Sequence, residues 1–145
     1  MASVHKEFDI DAAPEQVWDA VSDFGAVHQR LGPGLVTDAR LDADTRTVTF
    51  ADGTVVVERL IDLDPVSRRV AYSIVGGSLH SSHHHASMQA LPGKDGGTLV
   101  VWHTDVLPEA IAVPIAEFVE QASAVMRRTL ETAGSRGSSG GELAS

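Results

Sequence analysis

The segment of residues 55–79, VVVERLIDLDPVSRRVAYSIVGGSL, decides the fold because it holds two strand-like runs with a turn between them. The runs TVVVERLIDLD and RRVAYSIVG are rich in β-branched and other apolar residues, and DPVS between them is a turn sequence. Strands joined by a short turn pair antiparallel. The segment therefore predicts a β-hairpin in the middle of the chain.

The same alternation of apolar runs and turn residues extends in both directions, over residues 35–105. Asp52–Gly53, between two apolar runs, is a strong hairpin signal. Consecutive strands with short turns form an antiparallel meander. Six strands are predicted here, in the runs LVTDARLD, TRTVTFA, TVVVERLIDLD, RRVAYSIVG, HHHASMQAL and GTLVVWHTDV.

The two ends of the chain supply one more strand and the helices. Residues 3–10 alternate apolar and polar side chains, which predicts a strand. DAAPEQVWDAVSDF predicts a helix with Pro14 in its first turn, and GAVHQRLGPG a short second helix. A long amphipathic helix is predicted from about Glu109 to about Ala133, with Pro114 either kinking it or marking its start.

This order of elements predicts an α+β fold in one domain, residues 1–133. A curved sheet of seven antiparallel strands cannot cover its own inner face, and a long C-terminal helix can. The two early helices would close one end and leave a space between sheet and helix, where ligand pockets commonly form. Residues 134–145 are rich in Gly and Ser, and we predict a disordered tail there.

Composition excludes several classes of function. The chain has no cysteine, so disulfides, thiolate metal sites and cysteine nucleophiles are absent. Twenty acidic residues against eleven basic ones give a net charge of −9, which disfavours nucleic acid and anionic membranes as partners. No stretch approaches the ~20 apolar residues of a membrane span, and the N-terminus lacks a signal-peptide pattern. We expect a cytoplasmic protein whose oligomeric state the sequence leaves open.

Four segments resemble the START-related (SRPBCC) superfamily, in particular its polyketide cyclase/dehydrase-like branch. They are the opening strand followed by APEQVWDAVSDFG, then VVVERLIDLDPVSRRVAYSIVGGSL, ASMQALPGKDGGTLVVWHTDVLP and the final helix, together spanning about Val4 to Ala133. The resemblance implies a helix-grip fold, with the sheet wrapped around the long helix. It also implies a cavity for a hydrophobic small molecule, including aromatic or polyketide-like ones. The HQRLGPGL segment lacks the Trp-x-Pro-like element that the family often has there.

Strand periodicity, with its phase taken from the resemblance, gives the side chains that we expect to face the cavity. In HHHASMQAL, His84 points inward and His83 and His85 outward, whereas a one-residue bulge would reverse this. The polar candidates are Glu58, Tyr72 and His84. The expected apolar walls are Trp18, Met88, Trp102, Phe118, Ala122, Val125 and Met126.

These groups support more than one function. His84 and Glu58 could transfer protons in a cyclisation or dehydration, with Tyr72 orienting the ligand, because a buried carboxyl without a cation has a raised pKa. Glu58 could instead pair with His84 or with a group near Arg59, or face solvent. A ligand carrier or sensor without chemistry is the alternative, and a protein-interaction module with a filled cavity is a third.

A metal centre is not expected, and neither is another cofactor. Adjacent histidines of a strand point to opposite faces, so His83, His84 and His85 cannot all bind one ion. His83 and His85, with His103 and Asp105 of the next strand, could form a cluster of imidazoles on the sheet surface. We interpret this cluster as solvent-exposed histidines rather than as a ligand set.

Overall fold

The computed structural model describes the backbone of residues 2–144 and the side chains of residues 2–134. The strands are β1 (Ala2–Ile10), β2 (Val36–Asp42), β3 (Thr45–Phe50), β4 (Val55–Asp64), β5 (Arg69–Gly77), β6 (His83–Pro92) and β7 (Thr98–Leu107). The helices are α1 (Pro14–Val21), α2 (Val27–Arg30) and α3 (Ala112–Ala144). Short 3₁₀ turns, Phe24–Ala26 and Glu109–Ile111, precede α2 and α3.

The seven strands form one antiparallel sheet in the order β1-β7-β6-β5-β4-β3-β2. Each strand from β2 to β6 lies beside the next strand in the chain, and β1 forms the far edge against β7. This is the predicted meander, and the predicted helix-grip fold is confirmed.

Glycine is required where β4 and β5 meet. Gly77 has φ +101°, and a Cβ atom there would lie 2.2 Å from the carbonyl oxygen of Val55. Any other residue would have to push the two strands apart. The GGS break that signals a turn in the sequence is thus also a point of close backbone contact.

Strands β6 and β7 bury alternate residues, as their sequences predict. In β6, His84, Ala86, Met88 and Ala90 are buried, and the residues between them are exposed or half-buried. In β7 the buried set is Thr98, Val100, Trp102, Thr104 and Val106. We call the face that carries these buried residues the inner face. His84 lies on it, so the reversed register with His83 and His85 inward is wrong.

Helix α3 lies against the inner face and buries Val119, Ala122, Met126 and Leu130 on one side. Its α-helical part begins at Ala112, so Pro114 falls in the first turn, where a missing N–H costs nothing, and marks the start of the helix. The backbone remains helical to Ala144, past the end predicted near Ala133. The side chains of residues 135–145 lie outside the described residues, and disorder of the tail stays a prediction.

Candidate functional site

A cavity lies between the inner face of the sheet, α3 and the segment that contains α1 and α2. Its volume is about 70 Å³, and it opens to solvent through a mouth. Apolar side chains form most of the lining. Among the described residues, the polar side chains at its wall are Arg46, Glu58 and Tyr72.

Most of the predicted site residues border this cavity, and three do not. Those at its wall are Glu58, Tyr72, Met88, Trp102, Phe118, Ala122 and Met126. Trp18 packs against the core from α1, and Val125 is half-buried on α3, but neither reaches the cavity. His84 is on the inner face without bordering the cavity, which corrects the expectation that it enters the cavity.

Arg46 of β3 is the site residue that the sequence interpretation missed. It is directly opposite Glu58 of β4, and its Nε donates to Glu58 Oε1 at 2.8 Å. The two side chains are only 9% and 12% exposed. Glu58 therefore has a buried partner, as one alternative held, but that partner is Arg46 rather than His84 or a group near Arg59, and the solvent-facing alternative is wrong.

Further contacts hold the Arg46 guanidinium in place. Its Nη1 donates to the Phe24 carbonyl oxygen at 3.1 Å. Its Cζ lies 3.8 Å from the centre of the Phe24 ring and 5.2 Å from that of Tyr72. Hydrogen bonds and ring faces replace part of the water that a buried cation loses. Arg46 lines the cavity, and its Nη2 makes no hydrogen bond to the described residues.

Tyr72 adds a neutral donor next to the ion pair. Its hydroxyl oxygen accepts a hydrogen bond from Trp102 Nε1 at 3.1 Å. Burial, reinforced by the negative charge of Glu58, raises the pKa of Tyr72 far above its usual range. The hydroxyl keeps its proton at all physiological pH values, and no described residue accepts that proton. Tyr72 can therefore donate a hydrogen bond into the cavity.

His84 has a structural partner on the neighbouring strand. The described pairing of β5 with β6 ends at Tyr72 and Ala86. Beyond that pair, the backbone N–H of Ile74 donates to His84 Nδ1 at 3.0 Å, and the Ser73 hydroxyl donates to the His84 carbonyl oxygen. These bonds link the strands where the ladder stops. Burial lowers the pKa of His84, so the ring is neutral, with its proton on Nε2.

The other histidines of β6 lie on the outer face. His83 is exposed and His85 is half-buried. Within the described side chains, no group of three or more histidine and carboxylate ligands converges on a point where a metal ion could sit. The predicted surface cluster of imidazoles instead involves His103 together with His5 of β1, a partner that the sequence interpretation did not name.

Comparison with solved structures places this fold among known ones. The Bacillus cereus protein XoxI superposes with a TM-score of 0.78 at 22% identity, covering 92% of this chain and 96% of that one. Norcoclaurine synthase from Thalictrum flavum gives 0.70 at 19% identity, covering 91% and 85%. A START superfamily protein from Mycobacterium smegmatis gives 0.70 at 17% identity, covering 92% and 96%. At these identities the likeness concerns the fold alone.

Fold and cavity together define a helix-grip protein. A family model described as "Polyketide cyclase / dehydrase and lipid transport" matches residues 1–135, and the chain belongs to that family. The resemblance predicted from the sequence is thereby confirmed. No curated protein matches the chain. No helix within the described residues is long and apolar enough to cross a membrane.

Proposed function

We propose that the protein binds a small, mainly apolar molecule in this cavity, with one uncharged hydroxyl or carbonyl group at Arg46, Glu58 and Tyr72. The observation that carries the proposal is that the buried cation at the cavity wall already has a buried anion as its partner. The polar end of the cavity therefore has unused hydrogen-bonding groups but little net charge.

This balance of charge selects the ligand. A ligand carboxylate would lose its hydration and meet an arginine whose charge Glu58 already balances, so its desolvation would go largely uncompensated. An uncharged oxygen is cheaper to desolvate. It can accept a hydrogen bond from Tyr72 Oη or from Arg46 Nη2, neither of which has an acceptor among the described residues. A hydroxyl ligand can also donate to the Glu58 carboxylate.

The same geometry supports binding over proton transfer. A general base at Glu58 would need the carboxyl to be free of a nearby cation, and Arg46 lies 2.8 Å away. His84 does not border the cavity, and its Nδ1 lone pair is taken by Ile74. Tyr72 holds its proton too firmly to act as a base. A carrier or sensor of a neutral ligand is the function that these three side chains fit best.

The relatives give this proposal general support. The family description names lipid transport, which is binding without chemistry, beside the cyclase and dehydrase activities. The norcoclaurine synthase structure holds dopamine and hydroxybenzaldehyde, so this fold accommodates small aromatic compounds with hydroxyl groups in that protein.

A displacement experiment tests the proposal with one pair of matched competitors. Nile red, a neutral dye that fluoresces in apolar surroundings, is titrated into the protein and then displaced by 2-naphthol or by 2-naphthoate. We expect 2-naphthol to displace the dye at lower concentration, since the two share a ring system and differ in charge. Equal or stronger displacement by 2-naphthoate would overturn the choice of an uncharged ligand.

Two substitutions on the same helix show whether the dye occupies the cavity. Ala122→Leu adds volume at the cavity wall, and Ala124→Leu adds the same atoms on the exposed side of α3. We expect Ala122→Leu to abolish dye binding and Ala124→Leu to leave it unchanged. Dye binding that survives Ala122→Leu, or that is absent from the unaltered protein, would contradict the cavity as the binding site. The second result would favour a protein-interaction role.

A further inference from the structure

The outer face of the sheet carries a four-residue chain of hydrogen bonds that the cavity does not involve. His5 of β1 and His103 of β7 are directly opposite each other, and their Nδ1 atoms are 3.2 Å apart. His5 Nε2 is 2.8 Å from Glu7 Oε2, and His103 Nε2 is 2.9 Å from Asp105 Oδ1. A carboxylate thus terminates the chain at each end.

The two rings point their Nδ1 atoms at each other. The ring centroids are 5.5 Å apart and the two Nδ1 atoms are 3.2 Å apart. The difference between these two distances is about 2.3 Å. That difference is close to two centroid-to-atom distances of a five-membered ring, which places both nitrogens near the line that joins the centroids. This is the geometry of an N–H···N hydrogen bond, in which one nitrogen holds the proton and the other accepts it.

Counting ring protons shows which charge state fits this arrangement. Two protons are needed on the Nε2 atoms to donate to Glu7 and Asp105, and one more is needed between the Nδ1 atoms. Three protons on two rings give the pair one positive charge. If the two rings hold only two protons, one of the three hydrogen bonds lacks its proton. If they hold four protons, both rings are cations and their Nδ1–H groups face each other.

We propose that His5 and His103 share one proton and together act as a pH-operated latch between the edge strand β1 and β7. The carboxylates of Glu7 and Asp105 offset the charge of the shared proton. When a second proton binds in acid, two facing cations replace the N–H···N bond, and the outer-face link between the strands opens. The β1–β7 pairing then loses this support and opens more often, while the contacts of β1 with α3 remain.

The other groups around the pair are compatible with this state. On β1, the Ser3 hydroxyl donates to Asp105 Oδ1 at 2.6 Å and is the main cause of the lowered pKa of Asp105, with His103 second. From β6, His85 lies beside Asp105 and Ser87 beside His103. Helix α3 contacts β1 from the other side of the strand, where Lys6 meets Glu120. Asp105 thus stays ionised through the range in which histidines titrate.

Histidine side-chain NMR on the full-length protein tests the latch. Long-range ¹H–¹⁵N spectra are recorded from about pH 4.5 to about pH 9, a range that spans histidine titration, with EDTA present. We expect the His5 and His103 signals to move together in two coupled steps. In His103→Ser, His5 should titrate in one step, whereas His83→Ser, an exposed control, should leave the pair unchanged.

Three results would overturn the proposal. The first is independent single-step titration of His5 and His103 in the unaltered protein. The second is a His5 curve that His103→Ser does not change. The third is a near-neutral spectrum recorded without EDTA in which the His5 and His103 signals change when EDTA is added, since a metal ion rather than a proton would then link the rings.

Amide hydrogen exchange gives a separate readout of the strand. We expect protection of the β1 amides around His5 to fall at the acid step in the unaltered protein. In the His103→Ser variant, protection of the same β1 amides should not fall at this pH. An identical acid step in both proteins would also contradict the latch.

Discussion

The inner and outer faces of the sheet use the same residue types in opposite ways. On the inner face, Arg46, Glu58 and His84 are buried, and each bonds to a fixed partner in the protein. On the outer face, His5 and His103 bond to each other and to carboxylates while remaining partly exposed. An unpaired group costs much inside the protein and little outside, where water takes the place of the lost partner. Depth of burial, more than residue type, sets the energetic weight of each polar contact.

Removing the buried cation should have the largest effect. Arg46→Met keeps the aliphatic length of the side chain but leaves the Glu58 carboxylate buried without a partner. We expect the free energy of unfolding to fall by about 3–5 kcal/mol, as when one member of a buried ion pair is removed. Urea unfolding followed by circular dichroism measures this loss.

Two further variants separate the buried charge from loss of packing. Arg40→Met removes an exposed arginine of β2 that pairs with Asp38, and we expect a change of about 0–1 kcal/mol. Arg46→Met combined with Glu58→Met removes both charges and should recover most of the stability that the single variant loses. If the double variant is no more stable than Arg46→Met alone, the loss comes from packing, and the contrast between the two faces weakens.

His84 and His83 are sequence neighbours on opposite faces, which makes them a direct comparison. His84→Ala removes a buried side chain and leaves the half-buried Ile74 N–H without its acceptor, and we expect a loss of about 1–3 kcal/mol. His83→Ala alters an exposed side chain and should change stability by no more than about 0.5 kcal/mol. Thermal unfolding of both variants gives the two values. Similar losses would mean that the bond to Ile74 contributes nothing.

Most of the fold could be predicted from the sequence because its signals are local. Alternation with period two identified the strands, the family resemblance supplied the phase that chose their buried faces, and Gly and Pro marked most turns. His84 illustrates the limit. Its inward direction follows from periodicity combined with that phase, but its bond to Ile74 depends on where the β5–β6 ladder ends, which is set by long-range strand pairing.

Arg46 was missed for a different reason. Charged residues are rarely buried unless they are paired, so an arginine in TRTVTF is ordinarily expected to face solvent. The sequence signal for its burial was that Arg46 alternates in phase with the apolar residues Val48 and Phe50. Identifying the partner needed the hairpin register as well. A two-residue turn at Asp52–Gly53 would set Arg46 opposite Arg59, whereas the actual turn shifts the register by one and brings Glu58 there.

Acid should weaken the inner face through His84. Because the folded pKa of His84 is lowered by burial, the unfolded chain takes up a proton first as the pH falls. The stabilisation from neutral His84 is complete above the histidine pKa of the unfolded chain, about 6.5. It is lost as the pH falls toward and through the lower pKa of the folded protein. We expect Tm to drop between about pH 7.5 and about pH 5, before the carboxyl groups titrate.

A variant that cannot titrate isolates this contribution. In His84→Asn the side-chain oxygen can still accept the Ile74 N–H, but no proton binds over this range. We expect Tm of His84→Asn to depend less on pH than that of the unaltered protein, with His83→Asn as the exposed control. Equal pH dependence in all three proteins would exclude His84 as the source of acid sensitivity.

The smallest effect is expected at the ion pair between Lys6 of β1 and Glu120 of α3. Its side chains are 29% and 67% exposed, so water screens the attraction and replaces it when it is lost. Lys6→Met keeps the apolar stem that covers the edge of the core, and we expect stability to fall by about 0.2–1 kcal/mol. Urea unfolding at low salt and at about 1 M salt should show this difference shrinking as the Debye length falls to ~3 Å. A loss above about 2 kcal/mol that persists in high salt would mean that this contact behaves like the buried Arg46–Glu58 pair, and exposure would then fail to explain the difference between the two ion pairs.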